Sequence, residues 1–330
     1  MPGPHLRPWT ASFVYIFCFA LATKPFPAVR AEIVGALVIP HGDFSYAPEL
    51  LPHNSKSRAA AEKVHSAAIS LAKMVSELNP DVIFLSTPHG TELSNDFATY
   101  LNSNGSGFAA IGSDLHNKSR PPNNVPLTPH EISLSPNISL DLTNYLRSLG
   151  QNVSGIKSFA DSEPAALRWG EVVPLLFIPE AVRNSTRTII WSQPLRRYKQ
   201  SAEMVDELLQ VGRLTGSFLN NKVKERVLVI ISSDLAHTHL ASGPYGYSNA
   251  SEPFDLAISQ WLENPYRNSD ALLHTARNLE DRALSCGFTG LVLLHGMLFE
   301  GPGHWDTKLL ANEHPTYYGM AVGTVTKAQV

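Results

Sequence analysis

Apolar positions along this chain fall into two alternating patterns. Four segments read as strands, Glu32-Ile-Val-Gly-Ala-Leu-Val-Ile39, Asp81-Val-Ile-Phe-Leu85, residues 186–191 and Arg226-Val-Leu-Val-Ile-Ile231, and the first, second and fourth are nearly unbroken apolar runs. Their length suits strands covered on both faces. Between the first two, residues 57–78 place apolar side chains at helical spacing and stop at Asn79-Pro80, which predicts a βαβ unit and parallel pairing. Helical spacing also predicts helices over 138–149, 199–219, 253–262 and 269–278, a short apolar helix or turn over 171–177, and a buried helix over 284–298. A last strand is expected over 317–325. Residues 102–129 are polar and broken by prolines, a surface excursion with a short strand at 108–111. Strands alternating with helices define an α/β fold, a single domain with a central mostly parallel or mixed sheet flanked by helices.

Three of the apolar runs end at a histidine. The first leads into Pro40-His41-Gly42, the second into Pro88-His89-Gly90, and the fourth into Ser232-Ser-Asp-Leu-Ala-His237. Ligands of open α/β sheets bind beyond the carboxyl ends of the strands, and histidine is both the commonest metal ligand and the usual proton shuttle near neutral pH. His41 and His89 therefore read as ligands of one metal, with His237 a third ligand or a general base and His239 a weaker candidate for that role. Asp43 is expected to hold the His41 tautomer, and Asp234 stands in the same polar phrase as His237. Neither Ser232 nor Ser233 occupies a Gly-x-Ser-x-Gly elbow, which sets a serine hydrolase aside. His295, inside an apolar stretch, reads as a core residue.

Composition changes the picture mainly in compartment. The 330 residues are 43% hydrophobic and 17% charged with a formal net charge of −3, ordinary for a globular protein and offering no attraction to nucleic acid. Arg7, a 14-residue apolar run from Trp9 to Ala22, and Val29-Arg-Ala31 read as a secretory signal over residues 1–31, leaving a mature domain over 32–330 with no later membrane-length apolar segment. Sequons at Asn104, Asn117, Asn137, Asn152, Asn184 and Asn249 fit a secreted or lumenal glycoprotein. With Cys18 in the signal, Cys286 is the single cysteine of the mature chain. It is a buried small hydrophobe, a free thiol or a ligand.

Pro40-His41-Gly42, Ser86-Thr-Pro-His-Gly90, Ser232-Ser-Asp-Leu-Ala-His237 and Ser285-Cys-Gly287, in this order, resemble the LigB superfamily of class III extradiol ring-cleavage dioxygenases and their Memo-type relatives. The resemblance spans about residues 34–325. It implies a LigB-like fold, His41 and His89 as ligands of one divalent metal, and His237 as the acid/base acting on a small catechol-like aromatic. In the dioxygenases the metal is Fe(II) and the third ligand a glutamate. Here Cys286, 49 residues after His237, stands at that position, as in the Memo-type relatives. Thiolate in place of carboxylate favours zinc or copper, so the alternative is a zinc- or copper-binding protein, or one with a vestigial pocket, lacking dioxygenase activity. A helix opening at Cys286, together with the metal, is expected to lower its pKa. Arg168-Trp169 replaces a histidine phrase common in the family, and His314 is the candidate to enter the site from another side. Nucleic acid is not an expected partner, and a homo-oligomer is left open.

Overall fold

The computed structural model describes residues 32–109, 131–158, 163–301 and 303–328, together with a few isolated positions. The expected signal, Cys18, Asn117 and positions 110–130 of the polar excursion lie outside them. In chain order the strands are β1 (Glu32–Ile39), β2 (Val82–Thr87), β3 (Phe97–Tyr100), β4 (Asn104–Gly107), β5 (Ile132–Ser133), β6 (Val153–Ile156), β7 (Ala165–Leu167), β8 (Arg187–Ser192), β9 (Arg226–Ser232), β10 (Trp305–Glu313) and β11 (Met320–Lys327). Eight of them form one mixed sheet in the order β10-β11-β1-β9-β2-β8-β3-β6, and β5-β4-β7 form a small second sheet.

The centre, β1-β9-β2-β8, is parallel and almost wholly buried, as the unbroken apolar runs require. Because successive strand side chains face opposite ways, Ala36 and Val38 enter one core with Phe84, Val229 and Ile231, while Leu37 and Ile39 enter the other with Ile83, Leu85 and Ile230. Helix Lys56–Leu78 covers the second face through Ala61, Val64, Ala68, Leu71 and Val75. Its N-cap Ser55 accepts the Arg58 N–H at 3.0 Å, and Asn79 ends it in the left-handed region at φ 41°. Helices Val205–Asn221 and Phe288–Leu298 cover the first face. They approach so closely that a Cβ on Gly212 would lie 2.4 Å from the Leu293 carbonyl oxygen, and one on Gly296 2.4 Å from that of Leu209.

Most expected elements are present within a few residues, and the differences have local causes. The last strand begins at Met320, not 317, because Tyr317 and Gly319 pair with the loop after β9: His239 N–H donates to the Tyr317 carbonyl, Leu235 N–H to that of Gly319, and Gly319 N–H back to that of Ala236. The helix expected over 199–219 begins at Val205, behind a separate turn Arg197–Gln200 that turns the Arg197 side chain inward. The expected helix over 269–278 is a π-helical turn, Ala271–Ala276, running into helix Arg277–Ala283. A short strand stands at Asn104–Gly107, and of the strand expected at 108–111 the last two positions lie outside the described residues. β10, which the sequence reading missed, forms an antiparallel hairpin with β11.

A candidate metal centre at the ends of three adjacent strands

β1, β9 and β2 are neighbours in the sheet, so their carboxyl ends deliver His41, Asp234 with His237, and His89 to one place. Ile39 lies beside Ser232, and Ser86 beside Ile231. Asp234 knits the first two loops together: its Oδ1 accepts the backbone N–H groups of His41 at 3.0 Å and Gly42 at 3.3 Å, and its carbonyl accepts from Gly287 N at 2.9 Å and Ser285 Oγ at 3.0 Å. A side chain at position 42 is excluded, since its Cβ would lie 2.2 Å from the Tyr318 ring.

The tautomer of His41 follows from a short relay. Ser232 Oγ donates its one proton to the Gly170 carbonyl at 2.5 Å, so it can only accept from His41 Nδ1, 2.8 Å away. His41 therefore carries its proton on Nδ1 and presents the Nε2 lone pair inward. That lone pair faces Cys286 Sγ at 3.3 Å and Asp234 Oδ2 at 3.3 Å. His89 meets His41 edge-on, ring centroids 4.8 Å apart, and packs against Trp169, also at 4.8 Å. The donor atoms of His41, His89 and Cys286 lie within 4.8 Å of one another, as do those of Asp234, His237 and Cys286. Imidazole nitrogens, a carboxylate and a thiol that can give up its proton are the side-chain groups that ligate transition metals. This buried His/Cys/Asp group can hold a metal ion.

His237 closes the other side. Its Nδ1–H donates to the Leu235 carbonyl at 2.8 Å, which leaves Nε2 as a base. Its ring stacks on Tyr318 and meets Tyr245 edge-on. Burial lowers its pKa to about 4 and holds those of His41 and His89 well below the ordinary value. All three imidazoles are thus neutral near pH 7, the form that ligates metal or accepts a proton. A cleft of about 650 Å³ opens onto His89, His237 and Cys286, with Trp169 and Tyr245 at its wall.

Four expectations need correction. Ser232, not Asp43, holds His41 Nδ1; Asp43 begins the single turn Asp43–Tyr46. Cys286 does not open a helix, because Gly287 is the cap of Phe288–Leu298, and burial, reinforced by Asp234, pushes its thiol pKa up in the metal-free chain. His239 and His314 do not line the cleft. They stack on each other at 4.1 Å, and His239 Nε2 pairs with Asp255 Oδ2 at 2.8 Å because the turn after His237 faces them toward helix Ser251–Glu263. His295 is a core residue, as expected, with Nδ1 accepting Trp261 Nε1–H at 3.0 Å. Asn137, Asn152, Asn184 and Asn249 are exposed and Asn104 partly so. The sequence reading missed Arg197 and Glu280, both buried in the cleft wall. A charged residue opening a helical segment reads as solvated unless its burial is seen.

The fold and site define a single-domain mixed α/β protein with a buried His/Cys/Asp group at the carboxyl ends of its central strands. No known sequence family matches the chain, and no curated protein does. Among solved structures it is similar to the crystal structure of an uncharacterized protein from Escherichia coli K12, with a TM-score of 0.51 at 12% identity over 88% of this chain and 99% of that one. That likeness is one of fold.

Proposed function

We propose that this protein is a metal-dependent oxidoreductase of the extradiol ring-cleavage type, acting on a small catechol-like aromatic. One observation carries the reading: the Nε2 of a neutral His237 shares a cleft with His89 and Cys286, whose donor atoms cluster with that of the buried His41. His41, His89 and Cys286 would hold the metal. Ferrous iron, when bound, supplies the redox chemistry that brings dioxygen to an aromatic ring. His237 accepts the proton of a substrate hydroxyl at Nε2 and can return it later. Trp169 and Tyr245 offer flat faces to the ring, and burial of the donors keeps bulk water from them. Anaerobic reconstitution with Fe(II), followed by oxygen uptake over a panel of catechols, is expected to give turnover that His237→Ala abolishes. Absence of uptake across the panel would overturn the proposal.

A second reading is favoured by Cys286 itself. A thiolate beside two imidazoles suits zinc or copper, and such a centre would bind metal without consuming oxygen. Elemental analysis of protein purified without a histidine tag separates the two. We further propose that the mature chain begins near residue 32 in the secretory pathway and carries N-glycans at the exposed sequons. N-terminal sequencing and a glycosidase mobility shift test this.

A further inference from the structure

Leu284 holds a backbone conformation that leucine rarely adopts. Its φ of 57° and ψ of 47° lie in the left-handed region, where it ends helix Arg277–Ala283 and donates its N–H to the Glu280 carbonyl at 2.8 Å. Glycine and asparagine enter that region readily, whereas a bulky side chain there is strained. The other non-glycine residues at positive φ among those described are both asparagines, Asn54 and Asn79. Packing does not account for the leucine. Leu284 is 42% exposed and belongs to neither hydrophobic core. The apolar contact that accompanies a cap of this kind is made with the residue four positions back, and here that residue is Glu280. Strained residues that their own local structure does not explain cluster at ligand sites.

Leu284 lines the cleft that contains Cys286, His237, Trp169 and Tyr245. It stands two residues before Cys286, so its Cα lies no more than about 7 Å from that of the cysteine. Trp169 abuts His89 and Tyr245 abuts His237, with ring centroids 4.8 Å and 5.9 Å apart. His89, His237 and Cys286 thus each have a large, exposed, mainly apolar neighbour on the cleft wall. The cleft volume of about 650 Å³ falls within the roughly 300–1,000 Å³ of sites that enclose drug-sized ligands, and a lone catechol ring leaves most of it unfilled. The charged side chains of the wall balance, Arg197 and Lys199 against Glu280 and Asp281, so the remaining space favours no ionic group. Resting on the reading of this cleft as a substrate site, we propose that Leu284 is a specificity-determining residue that receives an uncharged aryl substituent, and that the substrate class is an aryl-substituted catechol. Trp169 and Tyr245 flank the reacting ring, and Leu284 meets the ring attached to it. Apolar contact with that second ring removes the exposed leucine from water.

Anaerobic calorimetric titration of the full chain with catechol and with 4-phenylcatechol measures binding apart from turnover. The phenyl compound is expected to bind about tenfold or more tighter, the gain from burying part of its second ring. Leu284→Gly and Leu284→Asn, both suited to the left-handed region, are expected to cut that preference to about threefold or less. Catechol affinity stays unchanged in both, and the melting temperature of Leu284→Gly is equal or higher because the strain is gone. Leu284→Met returns an apolar side chain and retains the preference. Equal affinity of the unmodified chain for the two ligands, an unchanged preference in the glycine and asparagine variants, or parallel loss of both ligands as those variants destabilise overturns the proposal and leaves the cleft as a catechol site. Binding of neither ligand at millimolar concentration overturns the proposal and the substrate-site reading together. A preference that depends on Leu284, without oxygen uptake in the Fe(II) assay, leaves the aryl subsite standing and sinks the ring-cleavage reading.

Discussion

His41 Nδ1 lies 2.8 Å from Ser232 Oγ, and that contact decides which nitrogen of His41 faces the donor cluster. Both groups are buried, and the serine proton is committed to the Gly170 carbonyl. Outer partners that fix a ligating histidine commonly change metal affinity by about 10–100-fold when removed. Ser232→Ala is expected to weaken metal binding by that order and to cost about 1–3 kcal/mol of stability through the carbonyl and imidazole N–H left unpaired. Ser233→Ala is the control one residue away. Ser233 Oγ is buried and without a partner, so its removal is expected to be neutral or slightly stabilising. Competition titration with a chromophoric chelator, alongside urea unfolding, reads both quantities.

Glu171 is expected to make stability fall as pH rises. Burial raises its carboxyl from 4.5 to about 8, with Oε1 accepting from the Tyr100 hydroxyl and Oε2 from the Arg168 N–H. Between those values the folded chain holds a proton that the unfolded chain has released. The stabilisation is complete below about pH 4.5 and is lost as pH climbs through about 8. One such proton is worth about 1.4 kcal/mol per pH unit. Glutamine resembles the protonated acid, so Glu171→Gln is expected to flatten the curve by up to one proton over this window. Glu280 adds its own fall in the same direction and remains. Urea unfolding from pH 5 to 8 compares the slopes, and parallel curves for the two proteins would count against the assignment.

The central strands and the three histidine-bearing turns were legible because β1, β2 and β9 are covered on both faces and end abruptly at polar residues. Their meeting was legible from topology: parallel strands joined through helices expose all their carboxyl ends on one edge. Ser232 was visible only as a candidate nucleophile, since nothing in one dimension says that its proton goes to Gly170, 62 residues away. Asp43 was preferred for its nearness in sequence, yet the contacts that order His41 come from residues 191 and 193 positions away. β10 was missed because it is an edge strand with half-exposed residues and no apolar run. His239 and His314 looked like site residues by type, and the structure instead pairs His239 with Asp255 and stacks His314 on His239.

Gly287 is expected to tolerate no side chain. A Cβ there would stand 2.3 Å from Ser233 Cβ and 2.8 Å from the Asp234 carbonyl oxygen, both parts of the rigid turn that carries the donors. Gly287→Ala must shift the Ser285-Cys286 segment, at a cost of about 1–3 kcal/mol, as for overpacking of a dense interior. Metal affinity is expected to fall with it, because Cys286 is the adjacent residue. Gly301→Ala, whose Cβ would meet nothing nearer than 3.9 Å, is the matched control. Melting and metal titration of both variants test this, and a Gly287→Ala protein with unchanged melting and affinity would show that the turn yields.

The two overlapping donor sets make opposite predictions about His89 and His237. If the ion sits among His41, His89 and Cys286, His89→Ala loses it and His237→Ala keeps it. If the ion sits among Asp234, His237 and Cys286, the outcomes reverse. The first set is expected. His41 is locked by Ser232 with its lone pair aimed at Cys286 Sγ, and the backbone amides of His41 and Gly42 already occupy Asp234 Oδ1. A coordinated His237 would lose the Nε2 lone pair that makes it a base. His89→Ala should therefore lower bound metal at least tenfold, the scale expected for removing a ligand when even an outer partner is worth about 10–100-fold. His237→Ala should retain metal near the unmodified level while losing turnover. Elemental analysis of the two variants after identical loading and dialysis reads the difference directly, and retention by His89→Ala with loss by His237→Ala would move the ion to the Asp234 side and remove His237 from the role of base.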